Sequence, residues 1–319
     1  MNKDIQIAVI GAGMIGLSMC ALLTGNGIKT KLYVRSNPMK RKEQYNVILS
    51  DLEKQNLLTA SERINCVSYL KVVTSYEELQ DTEVVFECAA EDLDVKHDIY
   101  NNLIRYCPFL KVIASTTSAI PAEKLAEGSV APEKIIVAHP FYPPHLIPGV
   151  EVVPGIQTSQ DAIACIIDVL KYMNRKPVLL EKDARGFIAN RLQYAMLREA
   201  VHIVEEKIAR PEDVDEILMN SFAPRYTSIG IFEHFDNCGL DLAGNICREL
   251  YPDLSGEREV QKLIRQHCEK KEYGIKTGKG IYDWSKKDIR EFRKRVEDPY
   301  LRFFSWKIPV NKCNWEDAE

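Results

Sequence analysis

Residues Ile5–Gly27 read IQIAVIGAGMIGLSMCALLTGNG, and the fold follows from how this stretch is parsed. Ile5–Ile10 is a short apolar run of strand length. Gly11-Ala12-Gly13-Met14-Ile15-Gly16 follows at once, and Leu17–Leu23 continues as a helix ending at Gly25 or Gly27. A strand, a G-x-G-x-x-G turn and a helix make the front of a dinucleotide-binding unit. Gly11 permits the tight turn, Gly13 lets the backbone approach a pyrophosphate, and Gly16 allows the helix to pack closely on the strand. With Met14 and Ile15 the helix N-terminus offers free N–H groups and partial positive charge to the phosphates. The competing readings are a glycine-rich turn without a ligand and a signal peptide after Lys3. Asp4 and Gln6 interrupt the apolar run, and it is too short for a membrane span.

The chain has 319 residues, room for two domains with their own cores. A hydrophobic share of 45% and a charged share of 28% are those of a soluble globular protein. A net charge of −4 gives no sign of nucleic-acid or membrane binding. Nine scattered cysteines without a C-x-x-C pair fit reduced thiols in a cytoplasmic protein, with neither a disulfide framework nor a metal site.

Beyond the first unit, strands are expected at Lys29–Val34, Leu70–Val73, Glu83–Glu87, Lys111–Ala114, Lys134–Ala138, Glu151–Val153 and Pro177–Leu180. Helices are expected at Met39–Leu57, Leu93–Tyr106 and Gln160–Met173, with a shorter turn at Thr59–Asn65. After Lys182–Gly186 the apolar residues follow helical spacing alone, as in Ile188, Leu192, Met196, Ala200 and Ile203. Further helices are expected at Pro211–Asn220, Ile231–Leu250, Glu257–Lys270 and Lys287–Phe304. The expectation is an α/β protein: a Rossmann-type doubly wound sheet over residues 1–184, then an all-α C-terminal domain over 185–319.

Four segments gather polar groups near expected strand ends. Ser118 closes a hydroxyl cluster, Ser115-Thr116-Thr117-Ser118, that suits either a substrate oxygen or a loop cap. His139 ends a parallel strand, where ligands of such sheets bind, and imidazole gives or takes a proton near neutral pH. Glu151 places a carboxylate in an apolar strand and calls for a partner: the Nδ1–H of His139, or a surface cation. Asn190, in Gly186-Phe187-Ile188-Ala189-Asn190-Arg191, is placed one turn into the first helix of the second domain, facing the first. Its amide suits a substrate oxygen or an inter-domain hydrogen bond.

The ordered set resembles the 3-hydroxyacyl-CoA dehydrogenase superfamily. The glycine loop is followed by Glu87-Cys88-Ala89-Ala90-Glu91, Val95-Lys96, Ser118, His139-Pro140-Phe141, Glu151 and Gly186–Arg191. Gly239-Leu240-Asp241 and Lys276-Thr277-Gly278-Lys279-Gly280-Ile281-Tyr282 complete it. The resemblance implies His139 as catalytic acid/base, Glu151 as its orienting partner, and Ser118 and Asn190 as ligands of the substrate oxygen. It places Glu91 and Lys96 near the nicotinamide end of the cofactor and implies a homodimer formed through the helical domain. Within the superfamily the chain is most similar to the L-gulonate 3-dehydrogenase (lambda-crystallin) branch, with carnitine dehydrogenase nearby. Pro143-Pro144, Arg225–Gly230 and the extension after Trp284 carry that likeness. Tyr142 stands where the family usually has Asn, and Val34 where its second strand usually ends in Asp.

The expected function is hydride transfer between a nicotinamide cofactor and a small 3-hydroxy acid. The alternatives are a 3-hydroxyacyl-CoA dehydrogenase, with Lys40, Arg41 and Lys42 holding CoA phosphates, and a non-catalytic crystallin-like or redox-sensing protein. With no carboxylate at Val34 to bind a ribose 2′-OH, and Arg35 and Ser36 beside it, NADP is favoured over NAD.

Overall fold

The computed structural model describes residues 5–303; Phe304 and the rest of the expected C-terminal domain, 304–319, lie outside the described residues. The expected strands form one sheet: β1 (Ile7–Ile10), β2 (Thr30–Tyr33), β3 (Leu70–Val73), β4 (Val84–Glu87), β5 (Val112–Ser115), β6 (Ile135–Pro140), β7 (Gly149–Pro154) and β8 (Lys176–Leu179). Their order is β3-β2-β1-β4-β5-β6-β7-β8. The first six run parallel, β7 pairs antiparallel with β6, and β8 runs parallel to β7. The direction of chain progression across the sheet reverses between β1 and β4, so a crevice opens beyond their C-terminal ends.

Helices cover both faces, which is why the strands read as continuous apolar runs. On one face Val9, Phe86, Ala114 and Ala138 pack with Leu22 of α1 (Met14–Gly25), Leu49 of α2 (Pro38–Lys54), Cys66 of α3 (Ala60–Tyr69) and Ile166 of α6 (Gln160–Tyr172). On the other, Ala8, Ile10, Val85, Ile113 and Val137 pack with Leu103 of α4 (Leu93–Tyr106) and Leu125 of α5 (Ala122–Ala126). The short α5 was not expected from the sequence, since five residues carry no helical period. The Thr59–Asn65 turn is a longer helix, α3, opened by a capping box between Thr59 and Glu62.

The chain divides into two compact units: 5–188 with 300–303, and Ala189–Pro299. The second unit contains α7 (Ala189–Glu205), α8 (Pro211–Asn220), α9 (Ile231–Cys238), α10 (Leu240–Leu250), α11 (Lys262–Glu269) and most of α12 (Ile289–Phe303). The single helix expected over Ile231–Leu250 is broken at Gly239, whose φ of 92° no helix accommodates. The helix expected from Glu257 begins only at Lys262. Residues of α7 bracket the missing turn: Arg198 donates to the Glu257 carbonyl at 3.3 Å, Gln261 Nε2 donates to the Arg198 carbonyl at 3.0 Å, and Glu205 accepts from Leu263 N–H at the start of α11 at 2.6 Å. Among the described residues of this unit, Val201 and Ser255 are the buried ones, while Leu192, Met196, Phe232, Leu240 and Ile246 are exposed.

Candidate active site

The glycine loop between β1 and α1 is shaped by close approach. Gly11 adopts φ 103°, and a Cβ there would stand 2.5 Å from the carbonyl oxygen of Cys88. A Cβ on Gly16 would stand 1.9 Å from the carbonyl oxygen of Gly11, so the first turn of α1 presses on the loop itself. Gly13 meets nothing within 4 Å and caps α1 without a side-chain hydrogen bond, leaving the helix N-terminus open. Beside it lies a cavity of about 500 Å³, bounded by Gly11, Gly13, Val34, Arg35, Ser36 and Arg41. These residues fit a dinucleotide: bare backbone and a helix N-terminus for the pyrophosphate, and a cleft bounded by Tyr33–Ser36 at the end of β2 for the adenosine end. Val34 is buried, whereas Arg35 and Ser36 are exposed at the rim. Met14 is exposed in the first turn of α1, and Ile15 packs against the core.

Behind the Cys88–Glu91 loop sits a buried ionic network. Glu87, at the end of β4, and Lys96, in α4, are 0% and 1% exposed. Lys96 Nζ donates to both Glu87 oxygens at 2.8 and 2.9 Å. Glu87 also accepts from Tyr100 Oη at 2.9 Å, Ser115 Oγ at 2.7 Å and Ala89 N–H at 2.7 Å. Lys96 reaches Glu91 Oε2 at 3.6 Å, and Thr117 Oγ1 donates to Glu91 Oε1. Burial and the Glu87 charge push the Tyr100 phenol well above its ordinary value. Three of the four hydroxyls of Ser115–Ser118, at the end of β5 and beyond it, are therefore engaged: Ser115 on Glu87, Thr116 on the Glu87 carbonyl, Thr117 on Glu91. Ser118 is exposed, and no hydrogen bond to it appears among the described residues.

His139 and Glu151 face one another as register partners of β6 and β7. His139 Nδ1 stands 2.8 Å from Glu151 Oε2, and both residues are buried. An ionised carboxylate only accepts, so Nδ1 carries the hydrogen and Nε2 is left bare in the neutral ring. Glu151 Oε1 accepts from Ile188 N–H at 2.7 Å. Gly186 (φ 80°) and Phe187 (φ 49°) turn the chain to deliver that N–H. The Phe187 ring packs on His139 with centroids 5.5 Å apart, and Phe141 meets it edge-on at 5.0 Å. No local pattern announces the Phe187 and Ile188 roles beyond the Gly186-Phe187 pair. Asn190 is the second residue of α7, nearer the helix start than expected, and half-buried.

Family models match most of the chain. Residues 6–184 match the 3-hydroxyacyl-CoA dehydrogenase NAD-binding domain, and 186–284 its C-terminal domain. The 5-formyl-3-hydroxy-2-methylpyridine 4-carboxylate 5-dehydrogenase of Mesorhizobium japonicum is 30% identical over 87% of this chain and 90% of its own length. The human lambda-crystallin homolog is 30% identical over 71% of this chain and 72% of its own. A crystal structure described as 5-formyl-3-hydroxy-2-methylpyridine 4-carboxylic acid 5-dehydrogenase, an NAD+-dependent dismutase, superposes with a TM-score of 0.84 at 26% identity. That superposition covers 96% of this chain and 99% of the other.

Replacing Glu87 with Ala leaves the buried Lys96 ammonium with the Glu91 carboxylate at 3.6 Å in place of the two short bonds to Glu87. Urea unfolding is expected to show a loss of about 3–5 kcal/mol for Glu87→Ala, and a smaller loss for the double variant Glu87→Leu/Lys96→Met. A single variant as stable as the wild type would contradict the network's structural role.

Proposed function

Because the chain belongs to the 3-hydroxyacyl-CoA dehydrogenase family, we propose that this nicotinamide-dependent dehydrogenase interconverts a small 3-hydroxy acid, of L-gulonate or carnitine type, and its ketone. The His139–Glu151 pair is the observation that carries the reading. In oxidation the bare Nε2 takes the proton of the substrate hydroxyl; in reduction the imidazolium returns it to the forming alkoxide. Glu151 fixes the tautomer and stabilises the imidazolium. Ser118, whose neighbours are spent on Glu87 and Glu91, offers its hydroxyl to the same substrate oxygen, and Asn190 is the second such ligand. The nicotinamide, when bound, supplies hydride acceptance and donation. Glu91 and Lys96 belong to its end of the cleft.

Gly11, Gly13, Met14, Ile15 and Gly16 receive the pyrophosphate, and Arg35 and Ser36 the adenosine ribose. Arg41 bounds the same cavity, so two guanidinium groups are available to a 2′-phosphate where Val34 offers no carboxylate to a 2′-OH. NADP is therefore the favoured cofactor. Arg41 turned toward this cleft also weakens the case for a CoA-phosphate groove on Lys40, Arg41 and Lys42, and with it the 3-hydroxyacyl-CoA reading. The exposed apolar side chains of the helical unit suit a homodimer formed there. The eight described cysteines are all free, in keeping with a cytoplasmic protein.

His139→Gln is expected to lower kcat by about 10²–10⁴-fold, with cofactor affinity retained. The assay uses the better of L-gulonate and acetoacetyl-CoA by kcat/KM, which this reading expects to be L-gulonate. Near-normal turnover by the variant would remove His139 from the chemistry. Arg35→Ala is expected to weaken NADPH binding by about 10–100-fold and NADH binding far less. Tighter NADH binding by the wild type would reverse the cofactor assignment.

A further inference from the structure

The cofactor cleft has a direction. Tyr33–Ser36 bound it at the end of β2, Gly11 and Gly13 at the end of β1, and Cys88, Ala89 and Ala90 beyond β4. These strands and their neighbours stand in the order β2-β1-β4-β5-β6. A dinucleotide with its adenosine over β2 and its pyrophosphate over β1 therefore carries its nicotinamide toward the ends of β4 and β5, on the side of His139 in β6. Glu91 follows β4 and Thr117 follows β5, and the hydrogen bond from Thr117 Oγ1 to Glu91 Oε1 joins the two loops at that end.

Charge at this end does not balance. Glu87 and Glu91 bring two carboxylates, and Lys96 is the one ammonium paired with either of them among the described residues. Lys96 Nζ is committed to Glu87 by bonds of 2.8 and 2.9 Å, while Glu91 Oε2 stands farther off at 3.6 Å. Glu87 and Lys96 are shut away from solvent, and Glu91, its side chain 42% exposed, is the member of the cluster that reaches the surface. Thr117 takes one Glu91 oxygen and Lys96 faces the other, which fixes the carboxylate in place. The cluster as a whole keeps one net negative charge.

The oxidised nicotinamide ring is a cation, and the reduced ring is neutral. A fixed negative charge nearby stabilises the first and not the second. A hydrogen bond to the ribose or the pyrophosphate acts on both forms alike.

We propose that Glu91 sets the hydride equilibrium of the bound cofactor electrostatically: its carboxylate favours the oxidised ring, lowers the potential of the bound couple and makes the reduced form a stronger hydride donor. Glu87, Lys96 and Thr117 are positioning residues that act through Glu91. The inference rests on the placement of Glu91 and Lys96 at the nicotinamide end proposed above and adds what the carboxylate does there.

The test is the pair of dissociation constants for oxidised and reduced cofactor, measured by calorimetry without substrate, with whichever of NAD and NADP binds more tightly. In Glu91→Gln the side chain keeps an oxygen for Thr117, so the loop contact survives and the charge is lost. This variant should weaken the oxidised form relative to the reduced one by about 5–30-fold. That change raises the potential of the bound two-electron couple by about 20–45 mV. Glu91→Asp keeps the charge and should hold the ratio close to the wild-type value. An unchanged ratio in Glu91→Gln, or the same shift in Glu91→Asp, overturns the electrostatic role. If both forms weaken together, Glu91 stays at the nicotinamide end and the electrostatic role alone falls. If neither form weakens, the placement falls with it. His139→Gln turnover is independent of this ratio, so a shifted ratio beside near-normal turnover of that variant leaves the inference standing and removes the acid/base reading.

Discussion

Glu151, 4% exposed, draws hydrogen-bond donors to its carboxylate from different parts of the chain. Oε2 takes His139 Nδ1 across the β6–β7 ladder, and Oε1 takes the backbone N–H of Ile188. The arrangement requires β7 to turn back along β6, because only an antiparallel partner sets residues 139 and 151 opposite each other after so short a connection. It also requires the left-handed backbone at Gly186 and Phe187, which brings Ile188 N–H to Oε1 while the Phe187 ring closes over the imidazole. A buried carboxylate lacking such partners would be protonated or expelled. The strand reversal, the strained turn and the histidine tautomer are therefore one constraint.

Glu87 applies the same rule one strand away from the glycine loop. Its charge is met by Lys96, Tyr100, Ser115 and Ala89 N–H, so the loop that closes on Gly11 is held from beneath. The network consumes the hydroxyls of Ser115 and, through Glu91, Thr117, and this selection leaves Ser118 to the solvent. Which hydroxyl of a Ser-Thr-Thr-Ser run is free cannot be read from the run itself, because the partners lie 26 to 28 residues back.

What the sequence conveyed well was what depends on period and on glycine. The strands announced themselves as buried apolar runs, and Gly11 and Gly16 stand where a Cβ would strike backbone. His139 and Glu151 were legible as candidates because charge in an apolar strand needs an explanation. Features set by tertiary contact were hidden. Gly239 falls within a stretch of helical apolar spacing, yet its positive φ splits α9 from α10. The segment before Lys262 has helical composition, but Arg198 of α7 donates to the Glu257 carbonyl and accepts from the Gln261 side chain. The Ser18–His145 contact spans 127 residues and leaves no local pattern.

The central claim is that Glu151 holds His139 as the Nδ1–H tautomer, leaving Nε2 bare for proton transfer. Nitrogen NMR of the imidazole in 15N-histidine-labelled protein, assigned with His139→Gln and repeated in Glu151→Ala, tests it most directly. The account predicts that neutral His139 has a protonated Nδ1 and an unprotonated Nε2 in the wild type, and that this preference is lost in the variant. A wild-type His139 carrying its proton on Nε2, or a tautomer indifferent to Glu151, would contradict it.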